Sequence, residues 1–115
     1  KRRSNFMGYI TYKMDDYSKE FLKKHKFKYS SYLSDYGDEI YTYKFPVVSY
    51  KKTITIECEI SVSTMTGVVN VNVYNVNTRE LYSTYYNREY GKCKLVKSID
   101  LKINNKLKEL GIEKI

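Results

Sequence analysis

Between residues 52 and 76 the chain alternates apolar and polar side chains without a slip. Ile54, Ile56, Cys58, Ile60 and Val62 fall on one side, and Thr53, Thr55, Glu57, Glu59, Ser61 and Ser63 on the other. After Thr64-Met65-Thr66-Gly67 the pattern resumes, with Val69, Val71 and Val73 opposite Asn70, Asn72 and Tyr74. Strand side chains change face at every residue, so this predicts a hairpin with one buried and one solvated face. With residues 64–67 as the loop, Val62 faces Val69, Ile60 faces Val71 and Cys58 faces Val73. On the polar side Ser61 faces Asn70, Glu59 faces Asn72 and Glu57 faces Tyr74. A slip of one residue would turn every valine outward, which pins the register.

A preceding strand is expected at Glu39 to Phe45, with Tyr41, Tyr43 and Phe45 inward and Pro46 closing it. A following strand is expected at Glu80 to Tyr86, after the turn residues Asn75 to Arg79. Together these make a four-stranded antiparallel β-meander, whose apolar face needs a cover. Cys93, Val96, Ile99, Ile103, Leu107 and Leu110 recur at helical steps and supply it, with Gly111 as the stop. Asp100 falls near that stripe and Leu101 opposite it. The helix starts either near Lys92 or at an N-cap on Ser98, which would put Asp100 in the first turn. A short N-terminal helix is expected from a cap at Asp15-Asp16 through about Lys26, with Tyr17, Phe21 and Leu22 inward. Residues 5–13 read as strand or as helix extension, and 28–38 as an irregular connection. The fold class is α+β.

At 115 residues the chain, 1–115, is one domain with a single modest core. It opens Lys1-Arg2-Arg3 without a methionine, so an upstream segment, signal peptide or further domain is compatible with it. The net charge of +8 is unevenly spread: +6 over residues 1–28, −2 over 29–91 and +4 over 92–115. Basic ends around a neutral to slightly acidic sheet point to an acidic partner, of which nucleic acid is the commonest. The alternative is that the lysines only solvate helix faces. No stretch is long and apolar enough to cross a bilayer, so no membrane partner is expected. Two distant cysteines, 58 and 93, suit reduced thiols and a cytoplasmic location better than a disulfide framework.

Catalytic chemistry is hard to assemble from these residues. His25, the single histidine, sits inside Lys23-Lys24-His25-Lys26. The cysteines and His25 lack zinc-ligand spacing, and no phosphate-binding glycine loop or nucleophile elbow occurs. Asp35, Asp38 and Glu39 around Gly37 lack the alternate spacing of a calcium loop and read as a solvated turn. A non-enzymatic binding protein without cofactor or metal is therefore expected.

Two surfaces could bind. Lys23 and Lys24 on the first helix, and Lys94, Lys97, Lys102 and Lys108 on the last, could contact the phosphate backbone of nucleic acid or an acidic groove in a nucleic-acid-processing complex. Leu101 would be an apolar anchor among them. The chain also carries 14 tyrosines, with four phenylalanines and no tryptophan. Many must fill the core in place of Phe and Trp. Tyr74, Tyr82 and Tyr86 are expected on the outer sheet face, as a base-stacking platform or a protein interface. Glu57 and Glu59 on that face oppose the stacking role, because they repel phosphates.

No family fingerprint is present. Size, a Lys-, Asn-, Ile- and Tyr-rich composition, the helix-closed meander and the basic surface are similar in style to small phage or mobile-element proteins, including some anti-CRISPR inhibitors. No motif carries the likeness, which would imply an inhibitor or interaction module.

Overall fold

A hairpin with two unlike faces cannot stand alone in water, and the architecture is built around covering one of them. The computed structural model describes residues 11–87 and 93–115. In chain order the elements are β1 (Tyr12–Met14), α1 (Lys19–Lys24), β2 (Lys28–Tyr29), β3 (Ile40–Tyr50), β4 (Thr53–Ser63), β5 (Val68–Asn75), α2 (Ser83–Tyr86), α3 (Lys94–Glu109) and β6 (Ile112–Lys114). The fold is α+β, with an antiparallel sheet and a C-terminal helix. Among the described residues the sheet has six strands, in the order β2-β3-β4-β5-β1-β6, which corrects the expected four-stranded meander. β1, β2 and β6 contain three, two and three residues, too few to show a period in the sequence.

The β4–β5 register is the one read from the alternation, running from Ile56 opposite Asn75 to Val62 opposite Val69. Ile56, Cys58, Ile60, Val62, Val69 and Val73 are buried, while Glu57 and Glu59 lie half-buried on the other face. Gly67 closes the loop at φ +78, and a Cβ there would lie 2.6 Å from the Tyr17 ring. Only glycine meets both demands.

β3 does not stop at Pro46. It continues to Tyr50, with register shifts on either side of Val48. β2 pairs only with Thr42 and Tyr41, so at Pro46 the strand is an edge among the described residues, where a missing N–H costs little. Tyr41 and Phe45 are buried and Tyr43 packs against them, as expected, joined by Val47.

The anticipated strand at Glu80 to Tyr86 is replaced by a single bridge, Tyr74 to Leu81, followed by α2. Tyr82 and Tyr85 both pack against the core. A strand would send residues three apart to opposite faces, whereas a helical turn sends them to the same one.

α3 carries the cover. Val96, Ile99, Ile103 and Leu107 are buried along it, with Leu110 at its C-cap. Each such side chain contributes about 1.5–3 kcal/mol of burial. Cys93 is the N-cap and Lys94 the first helical residue, so Asp100 falls mid-helix; Lys92 lies outside the described residues. Gly111, at φ +71, then turns the chain into β6. α1 is shorter than expected. Its N-cap is Ser18, whose Oγ accepts from Phe21 N–H at 3.3 Å, and Asp16 supports that cap by accepting from Ser18. The helix ends at Lys24, and Lys26 takes φ +69 while Phe27 N–H donates to Leu22 O at 2.9 Å. Of the ambiguous stretch 5–13, residues 5–10 lie outside the described residues and Tyr12 begins β1.

Burial pushes the Cys58 thiol up to about 12 from its ordinary 9.0. Tyr85 is raised by burial first and then by its bond to Asp100. The folded chain thus holds these protons more tightly than the unfolded chain, so their contribution is complete below pH 9 and lost as pH rises toward 12. Thermal melts should show a midpoint that falls between pH 9 and 12, and less steeply at its lower end in Cys58→Ala.

Candidate functional site

At 100° per residue, the solvent side of α3 lies opposite the Val96–Leu107 stripe. Lys94, Lys97, Leu101 and Lys108 occupy it, all exposed, with Leu101 62% accessible. The flanking lysines are engaged internally. Lys102 Nζ donates to Val47 O at 2.8 Å. Lys106 Nζ lies 3.2 Å from Glu109 and within 5.9 Å of the Tyr43 and Phe45 ring centroids. Of the four lysines anticipated on this helix, Lys94, Lys97 and Lys108 therefore present charge without a carboxylate partner among the described residues. Lys102 is tethered to β3.

Lys23 and Lys24 are exposed on α1, which anchors through Leu22 in the same core cluster as α3. Both helices thus belong to one layer. His25 packs against Phe21 with ring centroids 4.2 Å apart and the planes tilted by 36°. Lys19 is paired with Glu39 at 2.7 Å.

The three tyrosines expected on the outer sheet face are not brought together. Tyr74 stands there, and its hydroxyl donates to Glu57 across the strand pair. Burial and that bond raise its pKa. Tyr82 turns inward against the core. Tyr86 is 45% exposed, but its Oη accepts from Val73 N–H at 2.8 Å. Among the described residues β1 pairs with β5 only at Val68 and Val69, and farther along β5 this hydroxyl serves the Val73 N–H. Around Tyr74 the outer face carries Glu57, Glu59 with Lys44 3.9 Å away, and Asn72.

Sequence reasoning passed over Tyr32 and Tyr36, which are 93% and 103% exposed. Their loop is well tied: Asp35 and Asp38 exchange backbone bonds of 3.1 and 3.0 Å, and Ser34 Oγ accepts from Ile40 N–H at 2.9 Å. The Ser- and Asp-rich composition around them was the available signal for a structured turn. The acidic groups are structural, with Asp38 accepting from Ser63 Oγ at 2.8 Å and Asp35 from Tyr36 N–H at 2.7 Å. Among the described residues no three His, Cys, Asp or Glu side chains converge as a metal site. A shallow outer-face depression of about 420 Å³, lined by Leu33, Ile40, Ser61, Ser63, Val68 and Asn70 among others, has Asp38 as its single titratable group. No helix of the described residues is long and apolar enough to cross a membrane.

Comparison with protein-family models, with curated proteins and with solved structures found no match.

The Tyr86 bond to Val73 is testable. Tyr86→Phe should cost about 1–3 kcal/mol in a denaturant titration, because it strands the buried Val73 N–H. Tyr32→Phe, fully exposed, should leave the midpoint unchanged.

Proposed function

We propose that this chain is a non-enzymatic binding protein that engages the phosphate backbone of nucleic acid through the outer face of α3. One observation carries the reading: Lys94, Lys97 and Lys108 share a solvent-facing stripe and have no carboxylate partner among the described residues, whereas Lys102 and Lys106 are held internally. The stripe runs about 21 Å along the helix axis, long enough to meet several phosphates of a duplex. Point charges on mobile side chains suit backbone contact and confer little sequence preference. Lys23 and Lys24 would extend the contact from α1.

Binding should weaken steeply with salt. Lys94→Ala, Lys97→Ala and Lys108→Ala together should reduce the slope of log affinity against log salt by about 2.7 for duplex DNA. Lys102→Ala should change it less. An unaltered slope in the triple variant, with parental circular dichroism, would remove α3 as the contact.

A protein partner is the second reading, favoured by the full exposure of Tyr32 and Tyr36 on a loop pinned by its own hydrogen bonds. Tyrosine gives large contact area at low entropic cost, and a fixed loop lowers that cost further. Leu101 within the lysine stripe would serve the same end in an acidic groove of a nucleic-acid-handling complex, as an inhibitor of phage or mobile-element origin would use it. In a pull-down from the native host, Tyr32→Ala with Tyr36→Ala should lose the captured partner while salt-dependent nucleic-acid affinity is kept.

A further inference from the structure

The β3–β4 ribbon outruns the rest of the sheet. The β4–β5 ladder ends at Ile56 and Asn75, with one further bond from Val76 N–H to Thr55 O. β3 and β4 continue to pair through Ser49 with Ile54 and Tyr50 with Thr53. Residues 49–54 are all exposed, so among the described residues this end of the ribbon is two-stranded and wet on both faces. Its turn is Lys51-Lys52, at φ +49 and +68. A two-residue turn with both φ positive is a type I′ turn, which favours Asn-Gly or Asp-Gly because a Cβ is penalised there. Two lysines at such positions are a local cost that folding alone does not explain, and strain of this kind concentrates at functional sites. Neither lysine has a carboxylate partner among the described residues; Lys51 Nζ lies 5.5 Å from the centroid of the exposed Tyr50 ring.

The tip also lies toward one end of α3. Lys106 sits over Tyr43 and Phe45, and Lys102 reaches Val47. Travelling backward along the helix therefore means travelling forward along β3, toward Tyr50. Lys94 and Lys97 are thereby directed to the same end of the molecule as Lys51 and Lys52. Arg79, exposed with φ +63, follows β5 at that end, next to Glu80.

We propose that the Lys51-Lys52 ribbon is a second nucleic-acid contact, entering the major groove of duplex DNA beside phosphates held by Lys94 and Lys97. This rests on the nucleic-acid reading of α3 and assigns its substrate as a B-form duplex. A two-stranded ribbon fits a groove about 12 Å wide and 8.5 Å deep, and three residues per strand project about 10 Å. The major groove of A-form RNA is too narrow to admit it.

The test replaces Lys51-Lys52 with the residues the turn itself prefers. Lys51→Asn with Lys52→Gly should raise the melting temperature, yet lower affinity for a 20-base-pair DNA duplex and reduce its salt slope by about 1.8, measured by fluorescence anisotropy. Lys51→Arg with Lys52→Arg should keep the slope. A variant that melts higher and binds with parental slope overturns the proposal, as does a parent preferring the equivalent RNA duplex or single strand. Loss of binding in the ribbon variant but not in Lys94→Ala with Lys97→Ala removes the helix reading and, with it, the placement of the ribbon beside phosphates held by α3. The reverse pattern removes the ribbon and leaves the helix. A parent that binds neither polymer at low salt overturns both.

Discussion

The burial of the β4–β5 apolar face under α3 is the contact on which the remaining structure depends. Ile60, Val62, Val69 and Val73 are buried in one core cluster with Ile99, Ile103 and Leu107 of α3 and Leu22 of α1. Because strand side chains alternate, burying this set commits Glu57, Glu59, Asn70 and Asn72 to the opposite face. Because α3 has one apolar stripe, the same contact commits Lys94, Lys97 and Lys108 to solvent. A single packing decision thus sorts the charges: lysines without a carboxylate partner among the described residues lie above the helices, and Glu57, bonded to Tyr74, and Glu59, 3.9 Å from Lys44, lie below the sheet.

Sheet edges are handled by side chains as much as by strands. On the β3 side, Pro46, the shifts around Val48 and the Lys102 bond to Val47 O all hinder another chain from pairing. On the β5 side, Tyr82 N–H and the Tyr86 hydroxyl occupy both backbone groups of Val73. With Tyr74 also bonded to Glu57, much of the tyrosine content is consumed in holding the fold together. Among the described residues, the α3 stripe, the Tyr32–Tyr36 loop and the tip of the β3–β4 ribbon stay exposed.

Legibility in the sequence followed the length over which a pattern repeats. The β4–β5 register spans seven paired positions and could be derived residue by residue. The α3 stripe recurs over 16 residues and was equally plain. β1, β2 and β6 left no period to read, and their pairing depends on partners far along the chain. Glu80 to Tyr86 misled because its residues have strand propensity, yet the core needed Tyr82 and Tyr85 on one side. For the candidate site, the outward lysines followed from the helix period. That Lys102 is tethered and Tyr82 turned inward did not, since each reflects a neighbour brought close only by folding.

Local periodicity alone determined which side chains shun water on the central hairpin and on the last helix, because those preferences belong to the residues and their spacing. Tertiary structure decided how many strands join the sheet, which lysines retain free charge, and that Lys51 and Lys52 end on the same side of the molecule as Lys94 and Lys97. Those outcomes depend on the direction in which α3 crosses the sheet, a property of packed surfaces that no single segment encodes.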